Sequence, residues 1–213
     1  EAIVRKLKDD NGLDYSPQQI TVNNGAKNTI FVALVSMLNS DDEVIVPTPY
    51  WVSYVEQPKV VGAVPKVVET RAENGLKLTS QELRQAITPS TKLLFLCSPS
   101  NPSGAVYSQE ELRCLADVLV EHGIYVISDE IYEKLVYGDT VFQSVASFSP
   151  AHQEHTIIVH GLAKAYSMTG WRIGFTAAPA PIAKALGAIQ SHSTSNPTSF
   201  SQKGDVAALQ GPQ

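Results

Sequence analysis

The chain has 213 residues, 43% of them hydrophobic and 17% charged, with a formal net charge of −5 at pH 7. That length can bury a sizeable core in one large domain, and the composition excludes an intrinsically disordered chain. Lys and Arg are scattered, which excludes a nucleic-acid-binding face, and no apolar run approaches the ~18 residues of a membrane-spanning helix.

Ala2 to Lys8 reads as a helix that Asp10-Asn11-Gly12 breaks. Ile20-Thr21-Val22 is a short strand into Asn23-Asn24-Gly25. The chain turns helical from Gly25, with Ile30, Phe31, Leu34, Met37 and Leu38 on one apolar face. Val44-Ile45-Val46 is an apolar strand closed by Pro47 and Pro49, Tyr50 to Glu56 reads as helix, and Val64 to Glu69 as strand. Thr79 with Glu82, and Ser108 with Glu111, have capping-box spacing and open helices to about Ile87 and to Gly123. Lys92 to Cys97 and Ile124 to Ser128 are buried strands, the first followed by a rigid loop over Ser98 to Gly104. Thr156 to Val159 and Ile173 to Ala178 are strands, Ala180 to Gln190 is helical, and Ser191 to Ser201 is a Ser/Thr-rich loop. Val206 to Leu209 begins a helical pattern that stops at Gly211-Pro212-Gln213. With Glu1 rather than Met first and a helix already reading from Ala2, both ends read as cuts in a longer protein, so the lack of a targeting segment says nothing about the parent.

Continuous apolar strands alternating with amphipathic helices predict an α/β fold, a mostly parallel sheet with helices on both faces. No repeat or linker divides residues 1–213. Ligands of such sheets gather at the carboxyl ends of the strands. Gly25, Trp51, Asn101, Asp129 and Lys164 each follow a strand or lie in its next loop. Cys97 and Cys114 have no paired spacing and read as core thiols of a reducing compartment, not a disulfide or a metal site. The five histidines form no ligand cluster.

Asn24-Gly25-Ala26-Lys27 stands where a strand meets a helix, and the free amides and positive dipole end there suit a phosphate. A glycine before a helix is more often only a turn. Trp51 offers a flat face for stacking, or else packs in the core. Asn101, in Asn101-Pro102-Ser103-Gly104, is pinned in its loop, where such a side chain commonly satisfies its own backbone. Asp129 ends a buried strand and needs a partner, unless it caps a helix beginning at Glu130. Tyr132 follows three residues on, while Glu130 and Glu133 read as solvated or structural. Lys164 lies among apolar and small residues, which strips hydration and favours a neutral, nucleophilic amine; the plain alternative is a surface lysine. Arg172 has a planar fork suited to phosphate, or is an ordinary surface arginine.

Taken together, these stretches resemble class I pyridoxal-phosphate-dependent aminotransferases of fold type I. The match is densest at Val159-His160-Gly161-Leu162-Ala163-Lys164-Ala165-Tyr166-Ser167-Met168-Thr169-Gly170-Trp171-Arg172-Ile173-Gly174, and the matched segments run in the family's order from Asn23 to Gly174. Tyr50-Trp51-Val52-Ser53-Tyr54 and Ser98-Pro99-Ser100-Asn101-Pro102 are most similar to the prokaryotic-type aspartate aminotransferases, plant versions included. The resemblance implies that Lys164 links to the cofactor aldehyde and then shuttles the substrate proton. Asp129 would pair with the pyridine nitrogen, Asn101 and Tyr132 with the ring oxygen, and Trp51 would stack on the ring. Gly25, the amides of Ala26 and Lys27, and Arg172 would hold the phosphate. Ser103 replaces the usual Thr, Ala163 a frequent Ser and His160 a common Asn.

On this resemblance, residues 1–213 form the pyridoxal-phosphate-binding large domain, truncated at both ends and without the small domain that carries the α-carboxylate-binding arginine. The implied reaction is transamination between an amino acid, aspartate or glutamate, and a 2-oxo acid, in a parent that is a homodimer. The implied location is cytoplasmic, or plastid for a plant parent. No nucleic-acid or membrane partner is implied. Two alternatives stay open: another pyridoxal-phosphate reaction on the same fold (β-elimination or a synthase step), and a fragment that only binds the cofactor. By itself this stretch is expected to bind cofactor weakly and transaminate poorly. A nicotinamide oxidoreductase is set aside, because no Gly-x-Gly-x-x-Gly follows the first strand.

Overall fold

A computed structural model of the chain describes residues 1–212, so the terminal Gln213 lies outside the described residues. Strands β1 (Ile20–Asn23), β2 (Glu43–Pro47), β3 (Val64–Val68), β4 (Thr91–Cys97), β5 (Tyr125–Asp129), β6 (Thr156–His160) and β7 (Gly174–Ala177) form one sheet. Their order is β1-β7-β6-β5-β4-β2-β3. The pairs from β3 across to β6 are parallel, and β7 runs antiparallel to both its neighbours, β6 and β1. The expected mostly parallel sheet is therefore present, with one reversed strand.

Helices cover both faces, which explains why the strands are apolar throughout instead of alternating. The helices are α1 (Ala2–Asn11), α2 (Ala26–Met37), α3 (Ser53–Val60), α4 (Ser80–Ala86), α5 (Gln109–His122), α6 (Pro150–Glu154), α7 (Ala180–Ser193) and α8 (Ser199–Gln210). On one face Leu93 and Phe95 of β4 pack with Ile30 and Leu34 of α2 and Leu186 of α7. On the other, Leu94 and Leu96 of the same strand pack with Leu83 of α4 and Leu112 and Leu115 of α5. Leu7 of α1 and Leu209 of α8 close the core beside Ile158, Phe175 and Ala177. Among the described residues no helix is long and apolar enough to cross a membrane.

Both expected capping boxes form: Thr79 Oγ1 accepts from Glu82 N and Ser108 Oγ from Glu111 N, each at 3.2 Å. Several expectations are corrected. The helix read over Tyr50 to Glu56 begins only at Ser53 and continues to Val60; Pro49 keeps Thr48 out of helical backbone, so the chain leaves β2 in a bend first. The loop read over Ser191 to Ser201 is confined to residues 194–198. Its serines join the helix because Ser191 and Ser193 donate their hydroxyls to the carbonyls of Ala188 and Ile189, at 2.9 and 2.8 Å. The short helix α6, with Ser149 accepting from His152 N, is an element the sequence reading lacks. Of the two thiols expected in the core, Cys97 is half-buried and Cys114 is exposed on α5.

Gly174 begins β7 flush against the turn into α2. A Cβ there would lie 2.4 Å from Ala26 N and 2.6 Å from Gly25 C. Backbone atoms cannot give way as a side-chain tip can. Gly174→Ala is expected to destabilise the chain by about 1–3 kcal/mol, read from urea unfolding.

Candidate active site

Parallel strands end on a common edge, and the loops leaving β1, β2, β4, β5 and β6 converge there. They enclose an open cleft of about 270 Å³ lined by Gly25, Ala26, Lys27, Trp51, Asn101, Asp129, Tyr132, Lys164 and Arg172. Every site residue expected from the sequence therefore lies in one place.

Asp129 is the deepest of them, at 4% exposure. It is no helix cap, because Ile131 to Lys134 form turns and no helix follows it. Its Oδ2 accepts from the Tyr54 hydroxyl at 2.6 Å and its Oδ1 from Ile131 N at 3.3 Å. Burial raises the carboxyl above the ordinary range, and the Tyr54 and Ile131 hydrogen bonds pull it back. Tyr54, three residues beyond Trp51, is a site residue that the sequence reading missed. Its spacing from Trp51 is helical, and the ring meets Trp51 edge-on at 5.6 Å while stacking on Phe95 at 4.6 Å. Nothing short of the strand order shows that this places the hydroxyl on Asp129.

Above the carboxylate, Asn101 Nδ2 approaches the Tyr132 hydroxyl at 3.4 Å. Lys164 Nζ lies 5.6 Å from the centre of the Tyr132 ring. The apolar enclosure expected around Lys164 is absent: its side chain is exposed, because the small residues beside it form an open turn and leave the cleft mouth uncovered.

The far corner is built for an anion. The first intrahelical bond of α2 runs from Thr29 N to Gly25 O at 3.1 Å, so the amides of Ala26, Lys27 and Asn28 precede it. Arg172 lies directly against Gly25: a Cβ on Gly25, whose φ is +86°, would come within 2.5 Å of Arg172 Nη2. Arg172 Nη1 is anchored by Thr169 O at 2.8 Å. Lys27 Nζ lies 4.8 Å over the half-buried Trp51 ring. The α2 amides and the Arg172 guanidinium thus meet at one corner of the cleft.

The sequence of residues 1–213 matches the family model described as aminotransferase class I and II. The chain belongs to that family. It is 49% identical over 213 residues to an aspartate aminotransferase of Geobacillus stearothermophilus, covering 100% of this chain and 54% of that one. It is 46% identical to an aspartate/prephenate aminotransferase of Cereibacter sphaeroides, covering 53% of that protein. Among solved structures, the aspartate aminotransferase from Rhizobium meliloti superposes with a TM-score of 0.97 at 43% identity, over 100% of this chain and 53% of that one. An aromatic aminotransferase from Pyrococcus horikoshii superposes with a TM-score of 0.95 at 38% identity, over 99% and 56%. The chain spans about half the length of the relatives it matches.

Glu130 and Glu133, which flank Tyr132 in this member of the family, are buried, so both are structural rather than solvated. Glu130 Oε1 accepts from Ser144 Oγ at 2.7 Å and from Ser128 Oγ at 2.9 Å. Burial pushes its carboxyl up to about 7, against the pull of those two hydroxyls. Folding thus favours the protonated form. The stability contributed is complete below the ordinary carboxyl value of 4.5 and is lost as pH rises through about 7. Glu130→Gln keeps an acceptor for both serines and never ionises. It is expected to match the unmodified chain near about pH 5 and to exceed it by roughly 2 kcal/mol near about pH 8, in paired urea titrations.

Proposed function

We propose that the chain is the pyridoxal-phosphate-binding large domain of an aminotransferase that moves an amino group between aspartate or glutamate and a 2-oxo acid. One observation carries this reading: a buried carboxylate, Asp129, faces across a single cleft from the anion corner made by the α2 amides and Arg172. An aromatic cation bearing a phosphate matches both ends. The fit also holds at the level of single groups. A carboxyl raised by burial gains most from a cationic N–H partner, and the bare Gly25 lets the Arg172 guanidinium come close to the start of α2, where a phosphate would meet both it and the helix amides.

The chemistry such a cofactor supplies when bound is an aldehyde that links to amines and a protonated ring that withdraws electrons from the substrate Cα. The chain's residues do the rest. Asp129, itself held by the Tyr54 hydroxyl and Ile131 N–H, would keep the ring nitrogen protonated. Asn101 and Tyr132 would hold the ring oxygen, and Trp51 would stack on the ring. Lys164 Nζ would be the amine that links to the aldehyde and, when free, the base that moves the proton at the substrate Cα.

The names of the relatives favour transamination over elimination or a synthase step, and favour aspartate as the amino acid. The aromatic enzyme of the same fold, at 38% identity, marks side-chain choice as the softest part of the reading. Among the described residues the cations lining the cleft are Lys27, Lys164 and Arg172. All three are turned toward the cofactor in this reading, so the grip on the substrate carboxylates comes from outside these residues, in a parent that works as a homodimer.

Titrating pyridoxal phosphate into the chain is expected to produce a visible absorbance band that borohydride fixes covalently. Lys164→Ala is expected to lack both the band and the covalent product, and a band retained by that variant would overturn the assignment. Tyr54→Phe removes one of the donors that hold Asp129 ionised. It is expected to weaken cofactor affinity by about tenfold, since a hydrogen bond to a charged group contributes roughly 1.5–3 kcal/mol.

A further inference from the structure

Behind the cleft lies a cluster of ionisable groups that the proposed chemistry does not use. Lys6 of α1, Glu133 and His160 have side chains only 8%, 3% and 5% exposed. Lys6 Nζ is in close ionic contact with Glu133 Oε1 and also donates to Asn11 Oδ1 at 2.8 Å. Asn11 Nδ2 donates to the other Glu133 oxygen at 3.0 Å. His160 Nε2 lies 3.2 Å from Glu133 Oε1. His160 Nδ1 accepts from Gly161 N at 2.7 Å, which leaves the ring proton on Nε2, the nitrogen facing the carboxylate. The ring is further fixed by stacking on Phe175 at 5.2 Å.

We infer that Lys6, Glu133 and His160 form a buried clamp that positions Tyr132 and Lys164 in the cleft. The inference rests on the proposed cofactor reading. Glu133 is the residue after Tyr132, in the turn leaving β5. His160 ends β6 and holds the first amide of the turn that carries Lys164. The Glu133 carboxylate therefore ties together the two strand-end turns that carry the two reactive side chains, and Lys6 ties both to α1. Burial opposes the charge on Glu133, yet His160 and Lys6 hold its carboxyl well below the ordinary range. A buried ionic cluster is a poor source of stability compared with apolar packing of the same volume. Directional fixing of two neighbouring turns is something apolar packing does less well, and a reacting pair tolerates only about 0.5 Å of looseness.

Two variants test the clamp. His160→Phe keeps a ring against Phe175 and deletes both nitrogens. Lys6→Met combined with Glu133→Gln removes the ion pair without leaving a buried charge alone. Each is compared with the unmodified chain by far-UV circular dichroism, by pyridoxal phosphate affinity, and by the pH midpoint of the lysine-linked visible band. In a folded variant the expected result is about tenfold weaker affinity and a band midpoint moved by roughly half a pH unit or more, since Tyr132 and Lys164 have both lost their anchor. Folded variants with unchanged affinity and midpoint would overturn the clamp while leaving the cofactor reading intact. An unmodified chain with no band at all would overturn the cofactor reading, and the clamp with it.

Discussion

A carboxylate at the end of a central strand, almost removed from water, is the constraint around which this molecule is arranged. Asp129 ends β5, with β4 and β6 on either side. Burying a charge there is costly unless donors surround it. The chain supplies two, the Tyr54 hydroxyl and the Ile131 amide. Tyr54 can serve only because α3 starts after the Pro-rich turn from β2, so that its ring lands on Phe95 of the neighbouring strand. In the proposed reading a cationic ring N–H would complete the set of donors at Asp129, and the corner made by Arg172 and the α2 amides would take an anion.

The anion corner depends on the one reversed strand. Because β7 runs antiparallel between β6 and β1, the segment from β6 to β7 begins and ends at the edge where β1 turns into α2. Lys164 and Arg172 ride on that segment, and Arg172 is delivered onto Gly25, where β1 turns into α2. The crossing is close enough that a Cβ on Gly174 would strike the backbone of Gly25 and Ala26, and one on Gly25 would displace the Arg172 guanidinium. A single topological feature thus couples the lysine, the arginine and the helix amides.

Much of this was legible in the chain itself. Apolar runs alternating with amphipathic helices implied the covered parallel sheet, and two capping boxes located helix starts to the residue. The motifs picked out nine of the residues that line the cleft, Asp129 among them, but not Tyr54. Local signals failed where longer-range packing or side-chain bonding decided the outcome. Serines read as loop were absorbed into α7 because their hydroxyls found carbonyls within the helix. Lys164 was read as enclosed by its apolar neighbours, but those neighbours are adjacent only along the chain, and in space the amine stands at an open mouth.

The sequence by itself determined the fold class, the family and the set of residues at the strand ends, because each of these is written in periodicity or in contiguous motifs. Only the tertiary structure decided that Tyr54 holds Asp129, that the acidic pair flanking Tyr132 is buried, and that Lys6 reaches Glu133 and His160 from the first helix. Those pairs are separated by tens of residues or more. Their contacts arise from strand order and helix packing, and a buried charge finds its partner through space, which no local pattern records.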